Sequence, residues 1–86
     1  MALIDTLGLT KDDKILYNLL YKKNLGMPFG LGMKLGKKMR IEICSKFDLD
    51  TPSYGQFHEE IHKFEFLENE VSKEVLDKVE EYISDL

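Results

Sequence analysis

The sequence predicts an α+β fold in which one β-hairpin is covered by three helices. Near both ends of the 86-residue chain, apolar residues recur three and four positions apart, which is the spacing of an amphipathic helix. Over residues 27–49 the apolar residues instead occupy odd positions, and polar residues or glycines occupy most even ones. That alternation is typical of a strand with one buried face. The predicted order is therefore helix, β-hairpin, helix, helix (α-β-β-α-α) in a single domain of residues 1–86.

The first predicted helix covers residues 11–24. Thr10 suits the N-cap position, and two acidic residues follow it in the first turn, where the helix dipole favours negative charge. An apolar stripe at helical spacing comes next. Gly26 and Pro28 mark the end of the helix, because proline cannot continue it.

The β-hairpin is predicted over residues 27–49. A loop at Gly36–Lys38 pairs Leu35 with Met39 and places the apolar residues of both strands on one face. A two-residue loop would put Lys34 opposite Met39 and mix the faces, so it is rejected. The basic side chains then lie on the exposed face or in the turn: Lys34, Lys37, Lys38, Arg40 and Lys46.

Two further helices are predicted over residues 52–67 and 73–85. Thr51 is placed as the cap of the first of them, and Pro52 suits its first helical position. Where this helix ends stays open, because Phe64–Phe66 also has the alternating pattern of a short strand.

Charge is divided unevenly along the chain. The net charge is −4, yet residues 11–46 sum to +6 and residues 47–86 to −9. Such polarity favours a binding surface. We therefore expect a non-catalytic protein-binding regulator, adaptor or inhibitor, for which a second copy of the chain is one candidate partner. The predicted partner-binding residues are Lys34, Lys37, Lys38, Arg40, Lys46, Glu59, Glu60 and Glu65.

Nucleic-acid binding is the alternative function. One route uses the basic, glycine-rich hairpin. The other requires the alternative fold, an all-α helix-turn-helix, whose small and apolar positions would be filled by Cys44, Phe47, Leu49, Tyr54 and Phe57. The residues facing the nucleic acid would then be Thr51, Ser53, Gln56 and His58. This second route conflicts with the strand alternation and places glutamates beside phosphates.

One motif points to metal chemistry. His58-Glu59-Glu60-Ile61-His62 has the H-E-x-x-H pattern and resembles, over five residues, the active-site helix of zinc metallopeptidases. The resemblance implies that His58 and His62 bind zinc and that Glu59 acts as the general base. That group has an apolar residue where this chain has its second glutamate, and the chain holds no third histidine. We therefore interpret the histidines as a surface pair and predict no catalytic residue and no cofactor.

The location of the protein is predicted from three absences in the sequence. Cys44 is the only cysteine, so no disulfide forms within one chain. The first residues lack the pattern of a signal peptide, and no stretch approaches the ~20 apolar residues of a membrane span. We expect a soluble cytoplasmic protein without a membrane partner.

Overall fold

The computed structural model describes residues 2–86, and the regular structure within that range is entirely helical. The helices are α1 (Leu3–Thr6), α2 (Lys11–Leu25), α3 (Phe29–Phe47), α4 (Thr51–Lys63) and α5 (Lys73–Ser84), with one 3₁₀ turn at Glu68–Glu70. The predicted α+β fold is therefore wrong, and the all-α alternative agrees with the structure. No helix within residues 2–86 combines the length and apolarity needed to cross a bilayer.

Most of the predicted β-hairpin is helix α3. Its buried face consists of Leu35, Met39 and Ile43, which follow one another at four-residue intervals and have no exposed surface. An interval of four always joins positions of the same parity, so this helical stripe also fits an odd-position pattern. The other apolar residues that completed the pattern lie on the outside of α3. They are Phe29, Leu31, Met33 and Ile41, with 82%, 38%, 60% and 56% of their surface exposed.

The glycine predicted to form the hairpin turn lies inside α3. Gly32 and Gly36, one helical turn apart, face the end of α2. A Cβ atom at Gly32 would lie 3.1 Å from the Asn24 Oδ1 atom, and one at Gly36 would lie 3.5 Å from the Asn24 Nδ2 atom. The close approach of α2 therefore accounts for the glycine at position 32, which the sequence pattern had suggested as part of a strand.

Side chains cap the N-termini of α2 and α4, the helices on either side of α3. The Thr10 hydroxyl accepts from the Asp13 backbone N–H at 3.1 Å, and the Asp13 carboxylate accepts from the Thr10 backbone N–H at 3.2 Å. Helix α4 is capped by Asp50, whose carboxylate accepts from the Ser53 backbone N–H at 2.8 Å. Thr51, predicted as that cap, is instead the first helical residue. These caps satisfy N–H groups that a helix leaves unpaired.

Helix α4 ends at Lys63, four residues before its predicted end. Asn18 of α2 holds this end, because its Nδ2 atom donates to the carbonyl oxygens of Ile61 at 2.9 Å and Phe64 at 3.3 Å. Asn18 is 1% exposed, and its Oδ1 atom has no hydrogen-bond partner among residues 2–86. The buried side-chain amide of Asn18 therefore fixes the residue at which α4 ends.

Helix α2 lies at the centre of the fold, in contact with α3, α4 and α5, while α1 packs on α4. Phe57 is fully buried, with its ring centroid 5.9 Å from that of Tyr17 and 6.0 Å from that of Phe47. Burying a side chain of this size contributes about 1.5–3 kcal/mol. The shared core fixes α3 and α4 relative to each other and leaves their outer surfaces open.

Candidate functional site

An open groove lies between the outer face of α3 and the start of α4. Its volume is about 600 Å³, and its lining consists of Met33, Lys34, Gly36, Lys37, Arg40 and Tyr54. We call it the α3–α4 groove. Every charged residue in this lining is basic. The remaining lining comprises a thioether, a glycine and a phenol ring, so the groove combines apolar surface with positive charge alone.

Tyr54 is the residue that α4 contributes to the groove. Its hydroxyl lies 3.0 Å from the hydroxyl of Tyr21, a residue of α2 that is 3% exposed. Burial raises the pKa of both hydroxyls, so both keep their protons at neutral pH and one donates to the other. This hydrogen bond joins α4 to α2 and holds the Tyr54 side chain in place as a wall of the groove.

Apolar side chains continue beyond the groove toward the start of α3. Phe29 is 82% exposed and Met33 is 60% exposed. The two residues are four positions apart, so they lie on the same face of the helix. Leu25, at the end of α2, is 78% exposed close to this helix junction in sequence. Contiguous exposed apolar surface is typical of a site where another molecule binds.

Three basic residues named from the sequence meet in the α3–α4 groove. They are Lys34, Lys37 and Arg40, and none of them pairs with a carboxylate within residues 2–86. All three are exposed. Their positive charge is therefore uncompensated by the described part of the chain.

The other two predicted basic residues, Lys38 and Lys46, line a different hollow of about 350 Å³ between α2, α3 and α5. The Lys38 Nζ atom donates to the Tyr82 carbonyl oxygen at 3.1 Å and lies 4.1 Å from the centroid of the Tyr82 ring. The Tyr82 hydroxyl donates to the Glu42 carboxylate. This hollow carries charges of both signs, and Lys38 is already hydrogen-bonded to Tyr82 of α5.

The predicted acidic residues form no part of the α3–α4 groove lining. Glu59 pairs with Lys63 at 2.8 Å, and the hydrogen bond from that lysine lowers the pKa of Glu59. Glu60 accepts from the Ile4 backbone N–H at 2.9 Å and so joins α1 to α4. Glu65 lies in the segment after α4. Glu59 and Glu60 are therefore engaged within the chain.

Helices α3 and α4 are joined by a three-residue turn, as the helix-turn-helix alternative requires. The turn is Asp48–Asp50, and Asp48 adopts the left-handed conformation with φ of 53°. The Leu49 backbone N–H donates to the Cys44 carbonyl oxygen at 3.0 Å, which closes the end of α3. This connection has the length and the left-handed residue expected of a tight turn between two helices.

The residues predicted to face a nucleic acid in that motif are Thr51, Ser53, Gln56 and His58. Thr51 and Gln56 are exposed on α4, and the Gln56 Nε2 atom donates to Glu60 at 2.9 Å. His58 points elsewhere, because its ring centroid lies 4.3 Å from that of Tyr21. The exposed surface of α4 therefore presents only part of the predicted set.

His58 and His62 lie on one face of α4 with ring centroids 4.5 Å apart, and both pack against Tyr21. Burial lowers the pKa of His58, and the neighbouring His62 lowers it further. The intervening Glu59 is bound to Lys63. Within residues 2–86, no three His, Cys, Asp or Glu side chains are placed to hold a metal ion. The described histidines form an aromatic cluster with Tyr21.

Two residues at the α3–α4 groove and the exposed surface beside it were expected, from the sequence, on buried faces. Phe29 has an odd position in the predicted hairpin and was expected on its buried face, and Tyr54 was expected at an apolar position of the helix-turn-helix alternative. The available signal was helical spacing, because Phe29 and Met33 lie off the four-residue stripe that contains Leu35 and Met39.

Comparison with protein-family models found no match to the chain, and neither curated proteins nor solved structures gave one.

Proposed function

We propose that this protein is a small, non-catalytic binding module whose α3–α4 groove holds an acidic, apolar-rich segment of a partner protein. The observation that carries this proposal is the composition of the groove, which offers apolar lining and only basic charges. A partner segment that fits must supply apolar side chains and carboxylates together, because each lining property needs its complement.

The chemistry of the lining supports such a segment. Carboxylates pair with Lys34 and Lys37 as point charges, and with the planar Arg40 guanidinium through two parallel hydrogen bonds. Apolar side chains pack on Tyr54 and Met33, and the flexible thioether of methionine adapts to partners of irregular shape. An amphipathic helix laid in a groove is one common way in which proteins present this combination.

The compartment of the proposed interaction follows from Cys44, which is a free, half-buried thiol. A chain with one unpaired cysteine suits a reducing environment. We therefore place the interaction in the cytoplasm, and fractionation of cells that express a tagged chain tests that placement.

The proposal is tested with a fluorescently labelled helical peptide that alternates leucines with aspartates and glutamates at helical spacing. Fluorescence anisotropy is expected to show saturable binding that weakens at least about tenfold, or 1.4 kcal/mol, in Lys37→Glu/Arg40→Glu. The matched control is Lys73→Glu/Lys78→Glu, which makes the same charge change on exposed positions of α5 and should leave affinity unchanged. A peptide with lysines in place of the acidic residues should not bind.

Equal binding by both double variants would remove the α3–α4 groove from the interaction. Equal binding of the acidic and basic peptides would show that charge plays no part. Either result overturns the proposal, provided that circular dichroism shows the variants to be folded.

Nucleic-acid binding is the second candidate, favoured by the short turn that joins α3 to α4. Asp48, Asp50 and Glu59 weigh against it, because they place negative charge along the turn and helix that would approach phosphates. Titration with labelled duplex DNA and with RNA at several salt concentrations tests it. Steeply salt-dependent binding that Lys37→Glu/Arg40→Glu abolishes would favour this candidate over the protein partner.

A further inference from the structure

A second open surface runs between the outer side of α2 and the C-terminal part of the chain. One hollow of about 510 Å³ is lined by Leu19, Lys22, Phe66, Glu68, Val71 and Leu76. An adjoining hollow of about 550 Å³ shares Leu19 and Lys22 and extends to Lys23, Met27 and Ile83. We call this continuous surface the α2–α5 groove. It shares no lining residue with the α3–α4 groove.

Part of the apolar lining of the α2–α5 groove lies outside the core cluster, while Leu19, Met27 and Ile83 pack partly against that cluster. Leu76 is 50% exposed although it lies on α5 beside the buried Val75, because it is turned away from the Val75–Val79 stripe. Leu67, in the segment before α5, is 67% exposed and lines a neighbouring hollow that shares Lys22 and Phe66 with the groove. Apolar exposure on two neighbouring elements marks this surface as one that another molecule covers.

The charges of this groove differ in kind from those of the α3–α4 groove. Lys22 and Glu68 line the same hollow with opposite signs, and both are exposed. Neither takes part in an ion pair within residues 2–86. The Lys22 Nζ atom instead lies 5.3 Å from the ring centroid of Phe66. With Lys23 of the adjoining hollow, the groove carries two lysines and one glutamate beside apolar surface, and none of the three is in an ion pair within residues 2–86.

A surface with both signs of charge is complementary to itself after a two-fold rotation. In a two-fold dimer the same patch meets its own copy, so each Lys22 can face the Glu68 of the other chain while apolar residues meet apolar residues. A two-fold pairing of the α3–α4 groove would instead bring Lys37 and Arg40 against their own copies, which costs free energy. Between these two grooves, charge complementarity therefore favours the α2–α5 groove for a second copy.

We propose that the protein forms a two-fold symmetric homodimer through the α2–α5 groove, with Lys22 of each chain paired to Glu68 of the other. Each dimer then presents two α3–α4 grooves on surfaces that the interface leaves free. The proposal is independent of what the α3–α4 groove binds, because different residues carry it.

The first experiment measures mass against concentration by sedimentation velocity for the full chain. A dimer is expected whose dissociation constant lies between about 1 μM and 1 mM, the range of a weak but specific complex. Leu76→Ser should raise that constant at least about tenfold. Met33→Ser is the matched control, since it removes a similarly exposed apolar side chain from the α3–α4 groove and should leave the dimer intact.

Monomer at every concentration overturns the proposal. A dimer that Met33→Ser dissociates while Leu76→Ser does not also overturns it, because the second copy would then occupy the α3–α4 groove. That outcome is separate from failure of the proposed function, which the peptide titration measures on its own.

The second experiment tests the ion pair and the symmetry by exchanging charges. Lys22→Glu and Glu68→Lys should each weaken the dimer, because each places like charges opposite one another across the two-fold axis. The double variant should recover it. A mixture of the two single variants should form mixed dimers, since every contact across the axis then joins opposite signs. Weakening by the single variants without recovery in the double variant or the mixture would exclude this pairing.

Discussion

The two halves of α3 differ in how the fold holds them. In residues 29–36, Phe29 and Met33 are largely exposed, three of the eight positions are glycine, and Leu35 alone is fully buried. In residues 37–47, glycine is absent and Met39 and Ile43 have no exposed surface. The second half is therefore anchored in the core, while the first half extends from it as a helix with few buried side chains.

In the first half of α3, low local stability and binding surface occur together. The less anchored half contributes Met33, Lys34 and Gly36 to the α3–α4 groove, and Lys37 follows at its boundary. Segments with few buried contacts open at low free energy, and binding surfaces are often drawn from them. A ligand in the groove would then protect the backbone amides of residues 29–36 from hydrogen exchange more than those of residues 37–47.

Truncating one methionine in each half should distinguish the two halves most clearly. Met39→Ala should lower the free energy of unfolding by about 2–5 kcal/mol, because it leaves a cavity in the core. Met33→Ala should change it by no more than about 0.5 kcal/mol, because that side chain is mostly in solvent. Chemical denaturation measures both. Similar losses in the two variants would mean that the halves are equally anchored.

A smaller effect is expected from two glycines within the first half. Gly30→Ala should stabilise the protein by about 0.5–1 kcal/mol, because a Cβ atom there meets open space and alanine restricts the unfolded chain. Gly32→Ala should lack that gain, because its Cβ atom would lie 3.1 Å from the Asn24 Oδ1 atom. Thermal unfolding of the two variants gives the comparison. A gain at both positions would show that Asn24 yields readily.

A smaller effect on the free energy of unfolding is expected from acid, through the histidines that pack near the α4 side of the α3–α4 groove. Tyr54 is hydrogen-bonded to Tyr21, against which His58 and His62 also pack. The pKa of His58 is lowered in the fold, so the unfolded chain binds more protons as pH falls below about 6.5. The free energy of unfolding should therefore decrease as pH falls from 7.5 to 5.5.

Denaturant titrations at those two pH values test the effect of acid, with His58→Gln as the comparison. The variant should show a weaker dependence on pH. An unchanged pH dependence would assign the effect to other groups. Because His58 is only partly buried, we expect this effect to be smaller than those of the methionine and glycine variants.

The starts of α2 and α5 were the easiest features to predict, because caps are local. Thr10 and the acidic residues after it predicted the start of α2, and the structure begins that helix at Lys11. The last helix, predicted from residue 73, begins at Lys73 in the structure. Such signals depend on a few neighbouring residues and need no knowledge of packing.

The middle of the chain was mispredicted because its surface is apolar. If Phe29, Leu31, Met33 and Ile41 had been polar, only the four-residue stripe of α3 would have remained, and it reads as a helix. The exposed apolar residues obscured this four-residue spacing and produced an alternation typical of strands. The charge pattern of the sequence predicted part of the groove lining, including Lys37 and Arg40. Tyr54 could not be predicted as a lining residue, because its position beside Lys37 and Arg40 depends on how α4 packs on α3.

The buried amide of Asn18 has a consequence for how this chain can diverge over evolutionary time. Two backbone carbonyls converge on one side-chain nitrogen, which uses both of its hydrogens without carrying a charge. Aspartate lacks those donors, and glutamine is longer by a methylene group. Core positions such as Ile43 can exchange among apolar residues of similar volume. In diverged descendants of this fold, position 18 should therefore keep its asparagine while the core around it changes.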